Sequence, residues 1–157
     1  MRFLLPLLLL VTTPLFAAEV SVVRVWPEYR EAASFKRIAE YFGGGESSRA
    51  QTILRTRPEE RGGYYFLTRL KSAQALPGAI LVVQAIQPGR SEADVHFFPA
   101  DLPKGSRAYL LGLTGEDWSS DDLAPLAWQV RVLAADGTEV AREQSYLWEQ
   151  PKVAAAE

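Results

Sequence analysis

Short apolar runs separated by turn residues fill the chain from Gln51 onward. They are Gln51–Arg57, Tyr64–Lys71, Ala79–Ile86, Ala93–Phe98, Arg107–Leu113, Leu126–Ala134 and Thr138–Trp148. Between them stand RPEERGG, LPG, QPGRSE, ADLPKGS and LTGEDWSSDDLAP, which carry the Gly, Pro, Asp and Ser that turns demand. Seven runs at this spacing predict a mainly β domain, an antiparallel β-sandwich. In the sixth run Trp128, Val130 and Val132 share one face and Gln129 and Arg131 the other, which places Trp128 at the centre of the core. Asp136-Gly137 predicts a two-residue primed hairpin turn, so the last two strands should be antiparallel neighbours. Alternation fails after Val140, and a bulge near Glu143 would turn Tyr146 and Trp148 inward.

The residues before Gln51 follow a different pattern. Val20–Trp26 (VSVVRVW) is β-branched and ends at Pro27, which predicts a strand. Phe35, Ile38, Ala39 and Phe42 then recur at helical spacing, with Pro27 at the start, Glu28 and Glu31 near the positive end of the dipole and Gly43 as a stop. The pattern predicts a helix over 28–42. A strand there would have to accept Ala32, Ala33 and Glu40, which are poor strand formers. GGGESSR, residues 43–49, reads as a flexible connection rather than a phosphate cradle, because no Lys-Ser/Thr pair follows it.

Met1 and Arg2 give a short basic start, and Phe3–Phe16 carry no charge. This apolar stretch contains Pro6 and Pro14 and is shorter than the roughly 20 residues of a membrane-spanning helix, while Ala17 and Ala18 offer small residues for cleavage. The expected organisation is a cleaved signal peptide at 1–18, then a strand, helix and linker at 19–49, a sandwich domain at 50–150 and a frayed tail at 151–157. Export to the periplasm or the extracellular space follows, with no transmembrane segment after cleavage.

Three segments, RTRPEERGGYYFLTRL, GLTGEDW and SYLWE, taken together resemble a family of small exported bacterial domains of immunoglobulin-like or fibronectin-III-like form and unknown function. The resemblance implies an immunoglobulin-like sandwich and carries no activity.

Composition narrows the chemistry. The 157 residues include no cysteine, so neither disulfides nor a thiol nucleophile are available. No asparagine is present, which excludes N-linked glycans, and with the abundance of Ala, Leu, Gly, Pro and Arg it points to a G+C-rich bacterial genome. The net charge is −2 with both signs scattered, which argues against nucleic acid as a partner. His96 is the one histidine, so no pair of imidazoles exists for zinc, and no serine lies in a G-x-S-x-G setting. Set in DVHFF, His96 reads as a packing residue of a strand. The acids of GEDWSSDD (Glu116, Asp117, Asp121 and Asp122) are calcium-type ligands, but their spacing matches no EF-hand and a solvated loop explains them without any ion.

The candidate contact residues are therefore aromatic and basic. Tyr64, Tyr65 and Trp118 could form a stacking platform, with packing as the rival reading. Arg55, Arg57, Arg61 and Arg69 could form a basic stripe, though Glu59 and Glu60 lie among them, and Asp117 neighbours Trp118. No catalytic residue, metal or cofactor is expected. The reading is a non-enzymatic binding or accessory module of the cell envelope, its partner a protein or glycan. The alternatives are a carbohydrate-binding or sugar-processing protein using Trp118 and nearby acids, and an assembly subunit that pairs edge strands.

Overall fold

The structure, a computed structural model, describes residues 19–35 and 51–149. The expected signal peptide, the expected helix beyond Phe35, the expected Gly/Ser connection and the expected C-terminal tail lie outside these residues.

Eight strands form two sheets: β1 (Val20–Arg30), β2 (Gln51–Arg55), β3 (Gly63–Ser72), β4 (Leu76–Ile86), β5 (Asp94–Leu102), β6 (Gly105–Thr114), β7 (Ala127–Leu133) and β8 (Glu139–Gln144). One sheet has the order β1-β3-β6-β2 and the other β5-β4-β7-β8. The seven apolar runs and the N-terminal run thus each became a strand. One pairing departs from the expected antiparallel sandwich. Strand β2 runs parallel to β6, from Gln51 opposite Ala108 to Arg55 opposite Gly112.

The N-terminal strand is longer and more integral than its sequence suggested. Strand β1 pairs antiparallel with β3 from Val20↔Ser72 to Arg30↔Gly63, so it belongs to the sandwich rather than to an appendage. It continues through Pro27, which was expected to open a helix. Proline is tolerated because β1 is an edge strand, where a missing N–H on the outer side breaks no ladder. A bulge between Val22 and Arg24 leaves Val23 exposed. The extra residue moves the inward set from Val20 and Val22 to Val25 and Tyr29, so both halves of the strand feed one core. Helical backbone begins only at Ala32 and covers 32–35 of the described residues.

The core between the sheets holds Tyr64, Phe66 and Leu70 of β3, Tyr109, Leu111 and Leu113 of β6, Leu81 and Val83 of β4, and Val130 and Val132 of β7. Trp128 stands at its border, half-buried, with its ring edge-on to Phe66 at 5.9 Å. The deeper tryptophan is Trp118, which the sequence pattern had placed in a loop. A second cluster lies on the outer face of the first sheet, where Phe35 covers Tyr65 and Leu110 beside Ile53 and Leu67.

The β7–β8 pair is antiparallel as expected, but its turn differs. Gly137 N–H donates to the Ala134 carbonyl (2.8 Å), and only Gly137 takes positive φ (+86°). Asp136 instead accepts the Thr138 N–H through its carboxylate at 2.9 Å. The accompanying register shift falls opposite Val132 and Leu133, near Val140 and not near Glu143. Strand β8 ends at Gln144, and Tyr146–Glu149 make a 3-10 turn that leaves Tyr146 exposed. The aromatic residues of SYLWE therefore do not continue the strand.

Gly112 faces Tyr65 across β6 and β3, and the Tyr65 ring occupies the space where a side chain on Gly112 would project. A Gly112→Ala methyl would drive the ring off the Arg61 carbonyl that its hydroxyl now holds. The expected cost is roughly 1–3 kcal/mol, as for other overpacked core sites, read as a lower urea midpoint.

Candidate functional site

The residues singled out in the sequence do not assemble into a surface platform. Tyr64 and Tyr65 are successive residues of a central strand and point to opposite faces, each of which is covered. Tyr64 lies between the sheets, its ring 4.6 Å from that of Trp118. Burial raises its phenol pKa, and the charge of Glu28 raises it further. Tyr65 is 0% exposed and packs under Phe35 at 5.1 Å.

Arg55 and Arg57 are equally committed, whereas Arg69 stands exposed on β3. Arg55 donates from Nε to the Tyr65 hydroxyl (2.7 Å) and sits over the Phe35 ring at 4.8 Å. The Tyr65 hydroxyl in turn donates to the Arg61 carbonyl at 2.6 Å. Arg55 therefore braces the outer cluster through a charge-assisted hydrogen bond and a cation–π contact. Arg57 binds Asp117 at 3.1 Å and approaches Glu116 at 3.7 Å. Its backbone exchanges hydrogen bonds with the Thr114 hydroxyl, which accepts from Arg57 N–H and donates to the Arg57 carbonyl, both at 3.0 Å.

The segment after β6 was expected to be a solvated acidic loop, and the structure ties it down. Trp118 is 5% exposed and donates from Nε1 to the Asp121 carbonyl at 2.8 Å. Gln87, at the end of β4, is the residue that sequence reasoning missed. Its amide nitrogen donates to the Asp94 carboxylate (2.8 Å) and the Asp117 carbonyl (3.1 Å). Its amide oxygen accepts from Ser119 N–H at 3.1 Å and lies within reach of the Ser119 and Ser120 hydroxyls. A buried glutamine satisfied on both sides holds the end of β4, the start of β5 and the loop together. Nothing in QPGRSE distinguishes this glutamine from an ordinary turn residue.

Trp118 presents no free face, and the cavity beside Glu116, lined by Arg57, Glu59, Glu60 and Gly115, holds only about 140 Å³. Among the described residues, no three His, Asp or Glu side chains are placed to hold a metal ion, and no helix is long and apolar enough to cross a membrane. His96 is half-buried on β5, and no hydrogen bond reaches its Nε2 from the described residues. Burial lowers its pKa, partly opposed by Asp117 and Asp94.

The open surface lies elsewhere. On one side of the sandwich β1 lies against β8, whereas the opposite side, between β5 and β2, is grooved. Leu54, Pro77, Pro99, Ala100, Leu102 and Tyr109 line a cavity of about 570 Å³. A neighbouring one of about 390 Å³ lies between Ile53 and Phe97. The apolar surface continues round the edge of β5, where Phe97 is 62% and Val95 44% exposed. The sequence signal for this was VHFFP itself, because Phe97 and Phe98 are successive and on a strand one of them had to face out.

No family model matches the chain, and no curated protein matches it.

Two stability measurements test this picture. Gln87→Leu keeps volume but orphans its partners, and it should cost about 2–3 kcal/mol in urea unfolding, with protease cleavage appearing within 115–122. For His96, the lowered pKa means the unfolded chain binds the proton more readily. Its contribution is fully present above the ordinary value of 6.5 and declines as pH falls below it toward the folded value. The urea midpoint should therefore fall as the pH drops below about 6.5 in the wild type, and less in His96→Gln.

Proposed function

We propose that the chain is an exported, non-catalytic binding module of the bacterial cell envelope, an immunoglobulin-like sandwich that meets a protein partner with its β2–β5 side. The strand order supports the fold reading. With β2 set aside, the remaining seven strands in chain order take the places A, B, C, C′, E, F and G of an immunoglobulin-type sandwich, A-B-E against C′-C-F-G. The export reading rests on the basic start, the uncharged run Phe3–Phe16 and the alanines at 17 and 18.

The observation that carries the binding reading is the apolar surface wrapped around β5. A single exposed apolar residue needs no explanation, but Val95, Phe97 and Pro99 continue directly into a groove of about 570 Å³. The polar candidates Arg55, Arg57 and Asp117 are held in structural contacts, Arg55 on Tyr65 and Arg57 on Asp117, as is Gln87 on Asp94. A protein partner is favoured over a glycan because the surface is aliphatic and phenylalanyl, whereas Trp118 and Tyr64 are packed against each other.

The test is retrieval from the native envelope with tagged wild type, Phe97→Glu and the distant Arg142→Glu. A partner retained by wild type and Arg142→Glu but reduced at least tenfold by Phe97→Glu supports the reading. Equal retrieval by all three places the contact elsewhere.

A further inference from the structure

The free edge of β5 is complementary to itself, and we propose that it pairs with β5 of a second copy, antiparallel about a twofold axis at Phe97. The inference rests on the binding reading and names the partner. Two observations give the direction of the backbone groups. The Ile86 carbonyl accepts from Leu126 N–H on the β7 side (2.8 Å), so by alternation Leu81, Val83 and Ala85 are the β4 residues that bond to β5. Their partners are Phe98, His96 and Asp94, which leaves Val95, Phe97, Pro99 and Asp101 with main-chain groups turned away from β4. Pro99 fits this pattern, since its absent N–H falls on the free side. So does Asp101, whose carbonyl accepts the Tyr109 hydroxyl at 2.8 Å.

The free edge therefore offers N–H groups at Val95 and Phe97, and carbonyls at Val95, Phe97 and Pro99. Among the described residues, none takes them up. An antiparallel copy centred on Phe97 forms two bonds between the Phe97 residues. Two more form, one from each Val95 N–H to the opposing Pro99 carbonyl. A centre on Pro99 has no donor at the axis and meets the Asp101 carbonyl already bound to Tyr109. The proline thus selects the register.

Side chains obey the same symmetry. Phe97 faces Phe97 and Val95 faces Pro99, so the exposed apolar residues of one copy cover those of the other. Charges are compatible, because Asp94 falls opposite Ala100 and Asp101 opposite Ala93, and no like charges meet. An edge contact of this length buries far less than the ~1,600 Å² of a standard interface, so the dimer should form at roughly 100 µM and above.

The absence of cysteine makes the test direct. In the proposed register the two Phe97 Cα atoms lie about 5.5 Å apart, within disulfide range, while the two Val95 Cα atoms lie well over twice that distance. Purified Phe97→Cys should form a disulfide-linked dimer under mild oxidation at least tenfold faster than Val95→Cys. Sedimentation equilibrium of the wild type should show monomer and dimer, and Phe97→Lys only monomer with an unchanged urea midpoint. Wild-type protein that stays monomeric at several hundred micromolar overturns the inference, as does equal cross-linking of the two cysteine variants or a dimer that survives Phe97→Lys. A monomer that still retrieves an envelope protein through Phe97 would overturn the second copy alone and leave the binding function standing.

Discussion

The first half of strand β3 is buried on both faces, and the placement of nearly every other element follows from covering it. Tyr64 and Phe66 enter the space between the sheets, while Tyr65 and Leu67 point the other way. A strand with one wet face needs only one layer against it, but β3 carries aromatic side chains on both. The chain meets the first demand with the second sheet and Trp118. It meets the second with Phe35 and the guanidinium of Arg55. Gly112 belongs to the same constraint, since the Tyr65 ring needs the room that a side chain there would take.

Polar residues near this core serve its geometry. Gln87 joins the end of β4 to the start of β5 and to the loop after β6, and Thr114 locks the exit of β2 onto the end of β6. Arg57 joins that exit to Asp117. These bonds turn a loop that resembles a solvated acidic turn into a fixed wall carrying a buried tryptophan. Beside these engaged polar groups, the edge of β5 exposes Val95 and Phe97 next to an open groove.

The edge itself reflects a balance. Unpaired strands invite association, and natural sandwiches blunt them with proline or charge. Here the proline stands two residues from the exposed Phe97 side chain and removes one donor while leaving its carbonyl. Such an edge rejects most registers without rejecting all of them, which separates specific pairing from indiscriminate aggregation.

Much of the architecture was legible in the sequence because strand alternation is a local property. Period-two runs and turn residues located all eight strands, and β-branched residues marked β1 before any partner was known. Pairing partners are not local. The parallel union of β2 with β6, the passage of β1 through Pro27 and the single positive φ at Gly137 depend on which strand lies alongside and on which edge is free. Burial of the site candidates is likewise a tertiary fact. Tyr64, Tyr65 and Trp118 have the composition of a binding platform, and only the second sheet and Phe35 decide that they are core. The sequence by itself determined the strands, the absence of thiol chemistry and the lone imidazole. The tertiary structure decided which aromatic residue meets water, because exposure is set by neighbours distant in the chain.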